Sequence, residues 1–399
     1  MVDLNNARVG AADEVALFQA LREQLDRVTS VQPYWTERLA GVDISAITDR
    51  SSLAYLPLLH KSELVTLQAE TPPFGGLTAT AAGNLSRLFV SPGPIFDPEG
   101  RGNDWWGTVG ALKAAGISAG DIVLNTFSYH LTPAGAMLET GAHALGCAVI
   151  PAGPGNTANQ LLAISQFKPT VYAGTPDFLK ILMDKADEAC VDVRSFRRAI
   201  VSGAALPPSL RQELEGRGLT LVQFYGTADL GVIAYEDKIE GLAINDGLIV
   251  EIVHPGTGDI VADGEVGEVV VTRLNRDYPL IRFATGDLSC SLPASSDGRP
   301  RIAGWMGRTD QAIKVRGMFV RPEQITTIGQ KLGISGRMRL VVTRKSEQDD
   351  MLLIIEHDEP SIAERAAIQM TEITKLKSKV DIVPLGSLPN DGKIIIDER

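Results

Sequence analysis

Ile122-Val123-Leu124 and Ala148-Val149-Ile150 are short apolar runs, and the segment between them, Pro133 to Leu145, carries its apolar residues at helical spacing. The alternation continues with helix Asn159 to Phe167, strand Thr170 to Ala173, helix Asp177 to Ala189 and strand Ala199 to Ser202. Helix Pro208 to Gly216 and strand Leu221 to Phe224 complete it. Short buried strands alternating with helices predict a mainly parallel sheet with helices on its faces. Ligands of such sheets sit beyond the carboxyl ends of the strands, which is where Tyr225-Gly226-Thr227-Ala228-Asp229 falls.

Outward from this centre the texture changes. Upstream, Val15 to Val28 reads as an amphipathic helix through Leu17, Leu21, Leu25 and Val28, with Leu53 to Leu67 as its expected partner. Thr71-Pro72-Pro73-Phe74-Gly75-Gly76 then breaks the chain before a strand at Arg87 to Val90. Downstream of Ile239, strands and tight turns (Leu248 to Val253, Glu268 to Thr272, Leu280 to Phe283) predict a small antiparallel subdomain against the sheet. Beyond Asp310, strands Arg339 to Thr343 and Leu352 to Glu356 with helix Ile362 to Leu376 suit a separate α+β unit. The expected organisation is α/β: a large N-terminal domain over 1–309, divided at 120/121 and 238/239, and a small C-terminal domain over 310–399.

Composition narrows the function. The 399 residues are too many for one compact core of ordinary size, and 44% hydrophobic content suffices for two or three. A net charge of -11 from 38 basic and 49 acidic residues argues against a nucleic-acid surface. Cys147, Cys190 and Cys290 form no CxxC pair, so neither a disulfide framework nor a thiolate metal site is expected, and a reducing cytoplasm fits. Charged residues such as Asp3, Arg8, Asp13 and Glu14 stand where a signal peptide needs an apolar run. The most apolar long region, Leu131 to Ala152, is broken by Glu139, His143, glycine and proline, so no membrane span is expected.

One further stretch carries chemistry. Thr285-Gly286-Asp287 precedes Gly307-Arg308-Thr309-Asp310-Gln311-Ala312-Ile313-Lys314-Val315-Arg316-Gly317, which sets a carboxylate, a guanidinium and a glycine-bracketed backbone close in sequence. Such a set suits gripping a ribose beside a flexible joint. With Tyr225-Gly226-Thr227-Ala228-Asp229 and Asn390-Asp391-Gly392-Lys393, these segments occur in the order seen in adenylate-forming enzymes, which the chain resembles. Gln32-Pro33-Tyr34-Trp35, Leu56-Pro57-Leu58-Leu59-His60-Lys61-Ser62-Glu63-Leu64 and Gly155-Asn156-Thr157 are similar to the phenylacetate-coenzyme A ligase branch. The resemblance runs from about Leu21 to Arg399.

The resemblance implies a ligase that activates a small carboxylic acid with ATP as an acyl adenylate and transfers it to coenzyme A. It assigns Tyr225 to the adenine, Asp287 and Arg308 to the ribose, and Gly226, Thr227, Ser91 and Gly93 to nucleotide binding. Lys393 is implied to reach the α-phosphate, Asp229 to hold magnesium, and the 310–399 domain to act as a mobile lid hinged at Asp310 with its Gly317 side toward coenzyme A. A homodimer is a further expectation of the same kind. His130 either steers the acyl carboxylate or packs; an imidazole suits the first role. Phe127 and Tyr129, with Gly155 and Asn156 at the start of a helix, are the acyl-pocket candidates, whereas Thr157 is as well explained as that helix's N-cap. The small or aromatic lining admits an aryl acid or a short branched or hydroxy acid.

Two departures stand out. The segment Val90 to Gly100 has prolines, Asp97 and Glu99 where the family carries a hydroxyl-rich phosphate loop ending in lysine. Ala228 and Asp229 replace the family's Ser or Thr and Glu, with one methylene less reach toward a metal. The Ala234-Tyr235-Glu236-Asp237 and Gly241-Leu242-Ala243 segments lack the Cys/His ligands some members carry, so zinc is not expected. The altered loop keeps a second expectation open, a catalytically impaired protein that binds a nucleotide or acyl adenylate. An amine or carrier-protein acceptor is a third.

Overall fold

The computed structural model describes residues 11–91, 94–204, 206–309, 313–315, 318–345, 348–389 and 393–399. The chain divides into two compact units, one of Met1–Ala205, Glu213–Thr285 and Cys290–Gly304, the other of Leu206–Gln212, Gly286–Ser289 and Trp305–Arg399.

The first unit is built on the sheet that the alternating pattern predicts. Strands Ala148–Pro151, Ile122–Asn125, Val171–Gly174, Arg198–Val201 and Thr220–Thr227 lie side by side in that order, all parallel. A tight turn then reverses the chain into Gly231–Glu236, which pairs antiparallel with Thr220–Thr227. From there the same sheet continues through Leu242–Ile244, Arg301–Ile302, Leu280–Leu292, Val266–Arg273 and Leu248–Val253. These strands form the small antiparallel part expected from sequence, and the hairpin at Gly231 leaves them hydrogen-bonded to the parallel strands.

Helix Ala11–Val31 buries Phe18, Leu21, Leu25 and Val28 in this core. Its near neighbours are the helix Pro33–Arg38 and the turn Ile44–Ala46 rather than residues 53–67. The latter segment is broken into the turn Ser51–Tyr55, strand Leu59–His60, turn Lys61–Glu63 and helix Leu64–Glu70. Pro57 accounts for the break: it forces an extended Leu56, found at φ -89 and ψ 134. Leu59–His60 runs parallel to the long strand, Leu59 opposite Phe283 and His60 opposite Ala284. Strands Arg87–Ser91 and Ile95–Glu99 form a separate antiparallel hairpin.

The second unit is α+β. Its sheet runs Lys379–Val383, Gln348–Glu356, Met338–Lys345, Ile395–Asp397, with the middle pair antiparallel and both outer pairs parallel. Helices Pro322–Leu332 and Ile362–Thr374 pack together and bury Ile325, Ile328, Ala366 and Met370 against Leu340, Val342, Leu353 and Ile355. Gly333 ends the first of these helices at φ +69, a left-handed C-cap that glycine adopts without a Cβ penalty.

Candidate active site

In the first unit the carboxyl ends of the parallel strands gather most of the residues singled out from sequence. Asn125, the last residue of its strand, is fully buried and donates from Nδ2 to Tyr129 Oη and to the Gly135 carbonyl, both at 2.8 Å. Tyr129 Oη donates in turn to Glu139 at 2.8 Å. Burial first, then the hydrogen bond and charge of Glu139, push the Tyr129 hydroxyl well above its usual range, so it stays a neutral donor. Its ring lies on Gly135, where a Cβ would come within 2.7 Å of Cδ2, so this helix start can hold no larger residue in place. Phe127 is buried beside Phe224, with ring centroids 6.3 Å apart. His130 is exposed, its backbone amide donating to Ser128 Oγ at 3.2 Å.

Gly153, Gly155 and Asn156 form a left-handed series at φ 65, 74 and 50 ahead of helix Thr157–Phe167. The N-cap is thus Asn156, with no side-chain cap bond, and Thr157 is the first helical residue. Gln160 holds the loop from inside the helix, its Nε2 donating to the carbonyls of Gly153 and Gly155 at 2.7 Å each. The Asn125 carbonyl accepts from the Ala152 and Gly153 amides, which brings this loop beside Asn125 and Tyr129.

Tyr225 and Gly226 lie inside strand Thr220–Thr227 and not beyond its end as the sequence suggests. A register shift between them is the cost of this continuation. At Gly226 a Cβ would meet the Gly231 carbonyl at 2.5 Å, so only glycine lets the two strands close here. Thr227 Oγ1 accepts from the Leu230 amide at 3.2 Å and fixes the turn.

That turn delivers Asp229 to a fully buried position, where Oδ2 receives Lys61 Nζ at 2.7 Å. Asp97 is also fully enclosed and neither of its oxygens has a hydrogen-bond partner; Asp229 Oδ1 and Tyr278 Oη are in the same condition. Burial, followed by the negative charge of Asp229, raises the Asp97 carboxyl to about 7, while Ser91 and Lys61 oppose the rise. The neighbouring Arg273 is buried, with its guanidinium 3.9 Å over the Trp105 ring and a hydrogen bond to the Trp105 carbonyl.

These positions change the reading of residues 90–100. Ser91 is buried, pairs with Ile95 and donates from Oγ to the Ile95 carbonyl at 3.3 Å; Gly93 lies outside the described residues. Asp97 and Glu99 belong to a strand and point inward, Glu99 accepting from Arg87 at 2.7 Å. Both are buried, whereas their charge alone suggests an exposed loop. Magnesium fits poorly at Asp229, whose side chain is 0% exposed and already carries an ammonium. Among the described residues no group of three or more His, Cys, Asp or Glu is placed to hold a metal ion.

In the second unit Asp287 and Arg308 are brought together by strand register. They sit opposite each other in antiparallel pairing, with Arg308 Nη1 3.3 Å from Asp287 Oδ1. Trp305 Nε1 donates to the same oxygen at 3.2 Å, and Thr309 Oγ1 donates to the Gly286 carbonyl at 3.3 Å. Arg308 keeps 35% of its side chain exposed, and a Cβ on Gly286 would crowd its Nη2 at 2.9 Å. Lys393 is exposed, with its carbonyl accepting from Arg339 Nε at 3.0 Å. Asp310 and Gly317 lie outside the described residues.

The residue that sequence reasoning passed over is Lys61. It stands within the quoted 56–64 segment, but its partner is 168 positions away. The usable signal was indirect: Val90 to Gly100 carries no Lys or Arg, so the resemblance implies a cation drawn from another segment.

The pattern of the AMP-binding enzyme family matches residues 105–275. Phenylacetate-coenzyme A ligase of Thermus thermophilus is 30% identical over 406 residues, covering 90% of this chain and 90% of its own. The protein of the same name from Aromatoleum evansii is 30% identical over 301 residues, 71% of this chain and 67% of its own. Among solved structures, 2-hydroxyisobutyryl-CoA ligase in its post-adenylation state with R3-HIB-AMP superimposes with a TM-score of 0.82 at 21% identity, over 100% of this chain and 95% of that one. The anthranilate CoA ligase bound to anthranoyl-AMP gives 0.57 at 17% identity, over 89% and 75%. At these identities the structural likenesses speak to fold. No helix among the described residues is long and apolar enough to cross a membrane.

Proposed function

The chain belongs to the phenylacetate-coenzyme A ligase family of AMP-binding enzymes, and from that premise we propose that it activates a small aryl, branched or hydroxy acid as its acyl adenylate and passes the acyl group to coenzyme A. The acid's carboxylate oxygen attacks the α-phosphorus of ATP and pyrophosphate leaves; the thiol sulfur then attacks the acyl carbon and AMP leaves. The observation that carries this reading is 30% identity sustained over nine-tenths of both chains.

Positioning and charge stabilisation supply most of such a reaction. In this reading Tyr225 stacks on the adenine beside Gly226 and Thr227, and Asp287, held by Trp305 and Arg308, accepts from the ribose hydroxyls. Lys393 approaches the α-phosphate as the 310–399 lid turns about Asp310, and the Gly317 side serves the thiol step. Phe127, Tyr129, Gly155 and Asn156 line the acyl end, with exposed His130 near the carboxylate. Since Tyr129 Oη already donates to Glu139 and accepts from Asn125, it offers the acid chiefly its ring face. Magnesium enters as the counter-ion of ATP rather than as an ion held by Asp229. The unpaired cysteines Cys147, Cys190 and Cys290 suit a reducing cytoplasm.

A second reading, an impaired protein that retains nucleotide or acyl-adenylate binding, is favoured by the lack of any base between Val90 and Gly100. Pyrophosphate release measured over a panel of aryl and short hydroxy acids, with thioester detection by mass, separates the two. Acid-dependent release followed by a coenzyme A thioester is the expected result. AMP binding without release for any acid in the panel supports the second reading.

A further inference from the structure

The lysine missing from Val90 to Gly100 has a counterpart in space. We propose that Lys61, carried on buried Asp229, is the protein's own cation for the β- and γ-phosphates of ATP. This inference rests on the nucleotide-binding part of the reading above.

Three placements support it. First, Lys61 follows strand Leu59–His60, whose partners Phe283 and Ala284 lead directly into Thr285-Gly286-Asp287, the ribose-side segment. Second, its ammonium is 2.7 Å from Asp229, which closes the Tyr225-Gly226-Thr227-Ala228-Asp229 segment. Lys61 thereby bonds one nucleotide-signature stretch and follows a strand whose partner residues precede the other in sequence. Third, the partners differ in exposure: the Asp229 side chain is 0% exposed and that of Lys61 is 25% exposed, so of the two it is the lysine that reaches solvent. A phosphate approaching from solvent meets the lysine before the carboxylate, and because Coulomb energy falls with distance the nearer charge weighs more.

The hairpin gives this arrangement its chemical sense. Asp97 and Glu99 are turned into the interior, Glu99 paired with Arg87 and Asp97 raised to about 7 chiefly by burial, so they do not oppose an approaching polyanion as exposed, ionised loop residues would. A lysine is suited to the role because it grips phosphate as a point charge without needing bidentate geometry.

Calorimetric titration of ATP-magnesium and of AMP tests the assignment. Lys61→Gln alone leaves Asp229 buried and unpaired, which can unfold the site, so the informative variant is Lys61→Gln with Asp229→Asn, which removes both charges together. The expected result is ATP affinity lowered about 10- to 100-fold with AMP affinity unchanged, the loss of one charge-assisted phosphate contact. Lys61→Arg should restore most of the ATP affinity. Equal weakening of ATP and AMP, or no change in either, overturns the proposal, as does a wild-type protein that binds no ATP. The readout is independent of turnover: absent pyrophosphate release with a Lys61-dependent difference between ATP and AMP would refute the ligase reading and leave this inference standing.

Discussion

Asp97 shows how a single carboxyl records its surroundings. Its ordinary value is 3.8 and the folded protein raises it to about 7, so between those limits the native state binds more protons than the unfolded chain. The stability it contributes is present in full below about 3.8 and is lost as pH rises through about 7. Asp97→Asn removes the cost of ionisation, so the variant should gain on the wild type by about 1–2 kcal/mol between pH 5.5 and pH 8, read from urea unfolding at both values. A gap that does not change with pH would mean that Asp97 is already ionised in the fold at the lower value. Nothing in the sequence around Asp97 announces this. Its charge suggests a solvated or repulsive loop, whereas hairpin pairing with Phe89 turns it inward. By contrast Asp287 and Arg308 were legible from sequence, because each lies in a recognisable string and one antiparallel register suffices to join them.

Strand Thr220–Thr227 is the element whose exact course matters most. Its apolar start reads clearly, but Tyr225 and Gly226 look like a loop because Tyr-Gly-Thr carries turn chemistry. The strand persists because Gly226 allows the Gly231 carbonyl to approach where any Cβ would sit 2.5 Å away. Gly226→Ala should therefore push the two strands apart, costing about 1–3 kcal/mol in unfolding free energy. It should also weaken AMP binding by displacing Tyr225. Unchanged stability together with unchanged AMP affinity would show that this close approach has no energetic weight. The helices and parallel strands between residues 121 and 224 match their sequence pattern to within a residue or two, since each alternation is local. The join between the parallel and antiparallel parts was less legible, because periodicity within a strand does not specify its neighbour.

At the scale of the molecule, the residues proposed for the site fall in both units: Tyr225, Asp229 and Lys61 in the first, Asp287, Arg308 and Lys393 in the second. If Lys393 serves only adenylation, Lys393→Ala should abolish pyrophosphate release while sparing thioester formation from acyl adenylate supplied ready-made. Parallel loss of both half-reactions would assign Lys393 a structural role. Within the first unit, helix Ala11–Val31 bears on how the whole chain comes together. Gln24 Nε2 donates to the Arg273 carbonyl at 3.0 Å, across 249 positions of sequence. At ordinary ribosomal speeds of 5–20 residues per second, the helix emerges about 12–50 s before the strand that receives it. During synthesis, therefore, an apolar face bearing Phe18, Leu21 and Leu25 has to wait in the open, and that interval is when a nascent-chain chaperone has most to protect.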